Sequence, residues 1–282
     1  MNCAWQEYLS ILPHRLRSEV DCYGKDTLLE TRLRLYQKPM LITTKGIIML
    51  ETSVTHQDLQ YTVNTASEYS PWSASTIAEG FITASGGHRI GICGSAIMTN
   101  DKMSGIRSIR SLAIRVARDI SGIADALVSI NGSILILGSP GTGKTTLLRD
   151  LIYQMSQSGN QFISVVDERQ ELFPFVKDRP VFDLGKNTDV LSGCPKKYGI
   201  SFVLRNMCPS IIAVDEITQP DDCEALLEAA WCGTKIIATA HAGNIQEFHQ
   251  RIVYRSLIEN KIFQYLVVMR PDKSWSIERI QQ

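Results

Sequence analysis

Residues 138–145, Gly-Ser-Pro-Gly-Thr-Gly-Lys-Thr, carry the spacing GxxxxGK[ST]. Glycines at these positions let backbone N–H groups turn inward around a phosphate, where a Cβ would clash. The apolar run ILIL (134–137) comes directly before, and the helix-patterned KTTLLRDLIYQMSQ (144–157) comes directly after. That strand–loop–helix order is the context the motif requires. The helix N-terminus adds the positive end of its dipole. Lys144 is placed to reach β- and γ-phosphates, and Thr145 to offer its hydroxyl to Mg²⁺. The expected ligands are therefore ATP and Mg²⁺. The candidate cradle is Gly138, Ser139, Pro140, Gly141, Thr142, Gly143, Lys144, Thr145 and Thr146.

Two acidic strand ends accompany this loop. SIIAVDE (210–216) places Asp215 and Glu216 after an apolar run, as a Walker B strand does. A carboxylate there holds Mg²⁺, partly through water, and a second one orients or deprotonates the attacking water. Thr145, Asp215 and Glu216 form the expected metal set. QFISVVDE (161–168) ends in Asp167 and Glu168, followed by Arg169 and Glu171. Either Glu168 or Glu216 could be the base, and the residues alone leave both open. His241 closes a further apolar run, KIIATAHA (235–242), and is expected to sense the γ-phosphate.

These residues need a scaffold that brings strand ends together. After residue 131 the chain alternates short, almost purely apolar runs with helical stretches, including PDDCEALLEAAWCG (220–233). Such alternation predicts a mostly parallel sheet covered on both faces, with ligands at the C-terminal strand ends. Before that point the pattern is α+β. LLETRLRLY (28–36) alternates like a half-buried strand, and PMLITTKGIIML (39–50) reads as a hairpin turning near Gly46. HQDLQYTVNTAS (56–67) has helical spacing. GFITASGGHRIGICGSAI (80–97) is Gly-rich and β-like, with Gly86-Gly87 suited to a turn of positive φ. The expected domains are residues 1–120, which would mediate oligomerisation and arginine donation, and 121–282, carrying the phosphate loop.

Composition narrows the function classes. The chain has 282 residues, 44% of them apolar and 21% charged, enough for a sizeable core. Lysine plus arginine equals aspartate plus glutamate at 29 each, which argues against a uniformly basic nucleic-acid binder. No apolar run approaches the ~18 residues of a membrane helix, and the N-terminus lacks the order of a secretory signal. The seven cysteines are scattered and never spaced CxxC, as expected for reduced cytosolic thiols. From Asp101 to Arg118 there are five basic residues and one acid. With Arg89 in GGHRIGICG, this stretch offers Arg89, Arg107 and Arg110 as arginines that complete a neighbouring subunit's site. It lacks the interleaved aromatics of a single-strand-binding surface.

Phosphate loop, acidic box, Walker B and histidine box, in this order, resemble the secretion-type P-loop ATPases. Within that group the chain resembles the stage III sporulation protein AA family of endospore-forming bacteria. The residues carrying the likeness are GSPGTGKTTLLRDLI (138–152), SVVDERQEL (164–172), LRNMCPSIIAVDEIT (204–218), ATAHAGN (238–244), LETRLRLYQKPMLI (29–42) and EGFITASGGHRIGICGSAI (79–97). The resemblance implies a RecA-like P-loop NTPase domain preceded by a smaller α+β domain. It implies a homohexameric ring ATPase at the cytoplasmic face of the mother-cell membrane. That ring would energise an integral membrane component of the channel joining mother cell and forespore, with no stable nucleic-acid partner. It maps the general base to Glu168, the Walker B glutamate to Glu216 and the box histidine to His241, with trans arginines from the 89–110 region. One departure stands out: Asp215 occupies the place where secretion ATPases usually carry glycine. The alternative is a nucleic-acid-associated P-loop ATPase. Related chains of that kind append a single-strand-binding module, for which a chain stopping soon after YLVVMRPDKSWSIERI leaves no room.

Overall fold

The computed structural model describes residues 3–67, 80–99, 102–159, 161–176 and 179–280. Glu79 and Asp101, which belong to the two N-terminal stretches above, lie outside these. The chain forms two compact units: Met1–Asp119 with Phe175–Val181, and Ile120–Pro174 with Phe182–Gln282.

The first unit is α+β. Its sheet is built, among the described residues, from β1 (Leu28–Arg34), β2 (Met40–Thr43), β3 (Gly46–Met49), β4 (Phe81–Thr83), β5 (Arg89–Thr99) and β6 (Lys102–Arg115). The strands lie in the order β3-β2-β1-β6-β5-β4, every pairing antiparallel. Alternation along β1 decides which side is covered. Thr31 and Leu33 point to the covered face, whereas Arg32 and Arg34 are only half-buried on the opposite face, where Glu30 is buried in ion pairs with Arg32 and Arg115. The covered face packs Leu33, Leu41, Ile82, Ile90, Leu112 and Ile114 into one core with helices α1 (Trp5–Ile11), α2 (His14–Asp21) and α3 (His56–Ser67). Tyr8 of α1 crosses into this core and donates its hydroxyl to Thr31 Oγ1 at 2.7 Å. Gly86 and Gly87, at φ 74° and 75°, make the turn into β5. The two-residue strands Phe175–Val176 and Arg179–Pro180 pair with each other and group with this unit.

The second unit is α/β. Its strands are β7 (Ile134–Leu137), β8 (Ile163–Asp167), β9 (Thr188–Ser192), β10 (Ile211–Ile217), β11 (Lys235–Ala240), β12 (Tyr265–Met269) and β13 (Trp275–Arg279). Their order is β9-β8-β10-β11-β7-β12-β13, parallel except for the final β12–β13 pair. β7, β8 and the first four residues of β10 are wholly buried, as a sheet covered on both faces demands. Helices α4 (Lys144–Ser158), α5 (Lys196–Met207) and α6 (Pro220–Trp231) connect the strands. The N-terminus of α6 has a capping box formed by Gln219 and Asp222. Because β7, β8, β10 and β11 run the same way, Gly138, Glu168, Asp215, Glu216 and His241 all emerge at one edge of the sheet. Among the described residues, no helix is long and apolar enough to cross a membrane.

Candidate functional site

The loop after β7 turns through Gly141 at φ 80° and Gly143 at φ 100°, a left-handed region that side-chain-bearing residues rarely adopt. α4 begins at Lys144, and its first intrahelical bond runs from Leu147 N to Gly143 O at 2.9 Å. The amides of Lys144, Thr145 and Thr146 therefore precede the ladder and have no intrahelical acceptor. Gly138 has no room for a side chain, since a Cβ there would lie 2.6 Å from Thr142 Oγ1. Thr142 donates its hydroxyl to Ser139 O at 2.9 Å and braces the turn. Pro140 and Gly141 stand exposed at its tip.

Lys144 is buried and folds back on its own loop. Its ammonium donates to Gly138 O at 2.8 Å, Ser139 O at 3.0 Å and His241 Nδ1 at 3.1 Å. Burial lowers its pKa, while the charges of Asp215 and Glu216 pull it back up.

The end of β10 supplies the two acids through a local break in pairing. The β10–β11 register shifts between Val214 and Ile217, and Glu216 sits at φ 50°. Its amide donates to Thr239 Oγ1 at 2.8 Å in place of a ladder partner. Asp215 thereby turns toward the phosphate loop, and its Oδ2 accepts from Thr145 Oγ1 at 2.8 Å. Its Oδ1 accepts from the buried Thr239 hydroxyl. Glu216 has both oxygens engaged: Oε1 lies 2.9 Å from His241 Nε2 and Oε2 accepts from Arg169 Nη1 at 3.1 Å.

β8 contributes a structural acid and a facing one. Asp167 is buried, with Oδ1 accepting from Glu171 N at 2.9 Å and Oδ2 from Leu172 N at 3.0 Å and Phe173 N at 2.9 Å. Burial pushes its carboxyl up to about 6, with those backbone donors opposing the rise. Asp167 thus closes the loop after β8. Arg149 of α4 completes that closure, donating to Leu172 O at 2.6 Å and Glu171 O at 2.8 Å above the Phe182 ring. Glu168 points the other way, into an ion pair with Lys196. Asp167, Glu168, Arg169, Glu171, Lys196, Asp215 and Glu216 line one cleft.

The second unit therefore brings together the loop 138–146, Glu168, Asp215, Glu216 and His241. Arg89, Arg107 and Arg110 belong to β5 and β6 of the first unit. Arg89 lies 4.1 Å over the Phe81 ring, and Arg107 and Arg110 are exposed. Three residues that contact the site acids fall outside the set expected from the sequence: Thr239, Arg169 as a partner of Glu216, and Lys196. Thr239 had a readable signal, being the one hydroxyl inside the apolar run KIIATA. Lys196 had none, because its partner is 28 positions away.

A profile of the family described as "Sporulation stage III, protein AA" matches residues 5–280. The chain is 32% identical to the stage III sporulation protein AA of Bacillus subtilis over 97% of its own length and 94% of that protein's. In fold it is similar to the pilus retraction motor PilT, at 16% identity and a TM-score of 0.63, covering 94% of this chain and 83% of that one. It is also similar to the ATPase DotB of Legionella pneumophila, at 15% identity and a TM-score of 0.57, covering 95% and 80%. The second unit is accordingly a RecA-like P-loop domain with a mostly parallel sheet, preceded by a smaller α+β part. Over nearly its whole length, the chain belongs to the sporulation stage III protein AA family.

Proposed function

We propose that this chain hydrolyses ATP with Mg²⁺ in a homohexameric ring. On this reading the ring works at the cytoplasmic face of the mother-cell membrane. There it energises an integral membrane component of the channel between mother cell and forespore. The observation that carries the reading is the 2.8 Å bond from Thr145 Oγ1 to Asp215 Oδ2. It joins the first turn after the phosphate loop to the acidic strand end, an all-oxygen pair of the kind hard cations take. The residues fit both ligands. The loop has glycines at positive φ and helix-start amides without intrahelical acceptors. Thr145 and Asp215 would hold Mg²⁺, with Glu216 reaching it through water. When bound, the ion neutralises charge developing on the phosphates.

The chain's own groups account for the rest. Lys144 exchanges two loop carbonyls for phosphate oxygens, at little cost because its charge is already desolvated. Glu168 takes the proton of the attacking water. Glu216 is held at both oxygens by His241 and Arg169, whereas Lys196 engages Glu168 at Oε2. His241 reports the γ-phosphate to Glu216, since it touches both Lys144 and Glu216. Arg89, Arg107 or Arg110 of a neighbouring subunit stabilises the transition-state charge. The similar pilus retraction motor was solved with bound ADP, which supports nucleotide binding by this chain.

The test is sizing of the purified chain with and without a non-hydrolysable ATP analogue, alongside phosphate release. The reading expects assembly to a six-subunit species and Mg²⁺-dependent turnover. A monomer at every concentration, with no phosphate released, contradicts it. Donation between subunits is checked by mixing Arg89→Ala or Arg107→Ala with Lys144→Ala. Restored turnover supports it, and no restoration at any ratio counts against it.

A further inference from the structure

Lys196 sits where stability alone would not put a lysine. It is the first residue of α5, so its ammonium meets the positive end of the helix dipole. Its side chain is also only 5% exposed, and a buried cation is costly unless paired. An apolar residue would avoid both costs. Something other than helix stability must therefore account for the charge.

Its partners indicate what. Lys196 Nζ is ion-paired with Glu168 Oε2, and Asp222 Oδ2 lies farther off at 3.9 Å. Asp222 is already committed, accepting from Thr218 N and Gln219 N at 3.1 Å each at the start of α6. Glu168 is therefore the direct counter-charge. The two are also held at fixed separation by the backbone. Gly193 N donates to Asp167 O at 3.1 Å, tying the loop before α5 to the end of β8. Gly199 seats α5 against β8 so closely that a Cβ there would lie 2.4 Å from Val166 Cγ1. The ammonium is thus delivered to the residue after β8 by a rigid helix rather than by a swinging loop.

We propose that Lys196 is a positioning residue for Glu168: its buried ammonium fixes the Glu168 carboxylate in the cleft shared with Asp215 and Glu216, and this ion pair sets the turnover rate. The proposal rests on Glu168 being the general base. Lys196 touches neither nucleotide nor metal on this account, so its loss should change turnover and spare binding.

The test is a double-mutant cycle on the full chain, with kcat and KM for ATP and the Kd of a fluorescent ADP analogue. Lys196→Met should lower kcat by about 10- to 100-fold, the usual cost of losing a partner that orients a working group. KM and the analogue's Kd should stay within about twofold. Lys196→Arg should recover part of the lost kcat. In a Glu168→Gln background, Lys196→Met should cause no further loss. If Lys196→Met does not fold, Lys196→Gln carries the same expectations, with the doubly neutral Glu168→Gln/Lys196→Met chain as the folding control. A kcat for the neutral variant near or above the native value, with Glu168→Gln inactive, overturns the positioning role and leaves the base in place. Equal losses in both backgrounds, or loss of nucleotide affinity, overturn it in favour of a purely structural lysine. Native turnover in Glu168→Gln alone overturns the base assignment itself, a result distinct from the other two.

Discussion

The ammonium of Lys144 lies 3.1 Å from His241 Nδ1. An ammonium only donates, so Nδ1 must be the unprotonated ring nitrogen, and the neutral ring carries its proton on Nε2. That proton faces Glu216 Oε1 at 2.9 Å. A phosphate that draws Lys144 off the loop thereby alters the histidine bonded to Glu216. His241→Ala removes the link and leaves the loop itself intact. We expect kcat to fall by about 100-fold with ATP affinity changed by less than about threefold, as for a group acting on the chemical step. Steady-state phosphate release beside equilibrium nucleotide binding separates the two effects.

Asp167 is expected to matter for folding more than for chemistry. Its two oxygens accept three backbone N–H groups, from Glu171, Leu172 and Phe173. Asn at this position offers one acceptor oxygen, and its amide group faces an N–H donor. Asp167→Asn should therefore cost about 2–3 kcal/mol of stability, the usual penalty for unsatisfied buried donors. Urea titration measures this directly. A midpoint equal to the native one would assign Asp167 away from loop closure.

The sheet that carries the site was legible because its strands are apolar runs ended abruptly by polar residues. ILIL, ISVVD and IIAVDE became β7, β8 and β10 with the acids at one edge. The helix over 56–67 and the hairpin around Gly46 likewise followed from local periodicity and turn chemistry. Less legible was anything decided by contacts distant in sequence. Asp167 and Glu168 are adjacent acids at one strand end, yet Asp167 turns inward to backbone amides while Glu168 faces Lys196. The left-handed turn at Glu216 depends on Thr239 of a neighbouring strand accepting its amide. The strands Phe175–Val176 and Arg179–Pro180 group with the first unit although they lie amid the second in sequence. No periodicity announces such an excursion.

His88 gives the first unit a pH dependence. It is fully buried, with Nε2 donating to Ala4 O at 2.8 Å and Nδ1 accepting from Ala117 N at 3.0 Å. Burial lowers its pKa to about 4 from the usual 6.5. Between those values the unfolded chain binds the proton and the folded chain does not. The stabilisation is thus complete above pH ~6.5 and is lost as pH falls from there toward ~4. Going from pH 7.5 to 5 should remove about 2 kcal/mol in the native chain, at ~1.4 kcal/mol per pH unit below the unfolded value. His88→Gln should lack this component, whatever its starting stability. Urea midpoints at the two pH values for both chains check it, and parallel slopes would contradict it.

Everything proposed for the site depends on Lys144 leaving the carbonyls of Gly138 and Ser139 for the phosphates of a nucleotide. The most direct measurement is Mg²⁺-dependent phosphate release from ATP by the native chain and by Lys144→Ala, which retains the glycine turns. We predict measurable turnover in the native protein and a loss of at least about 1,000-fold in the variant, the scale of removing a charge that stabilises a transferring phosphoryl group. Equal turnover in the two proteins would contradict the account.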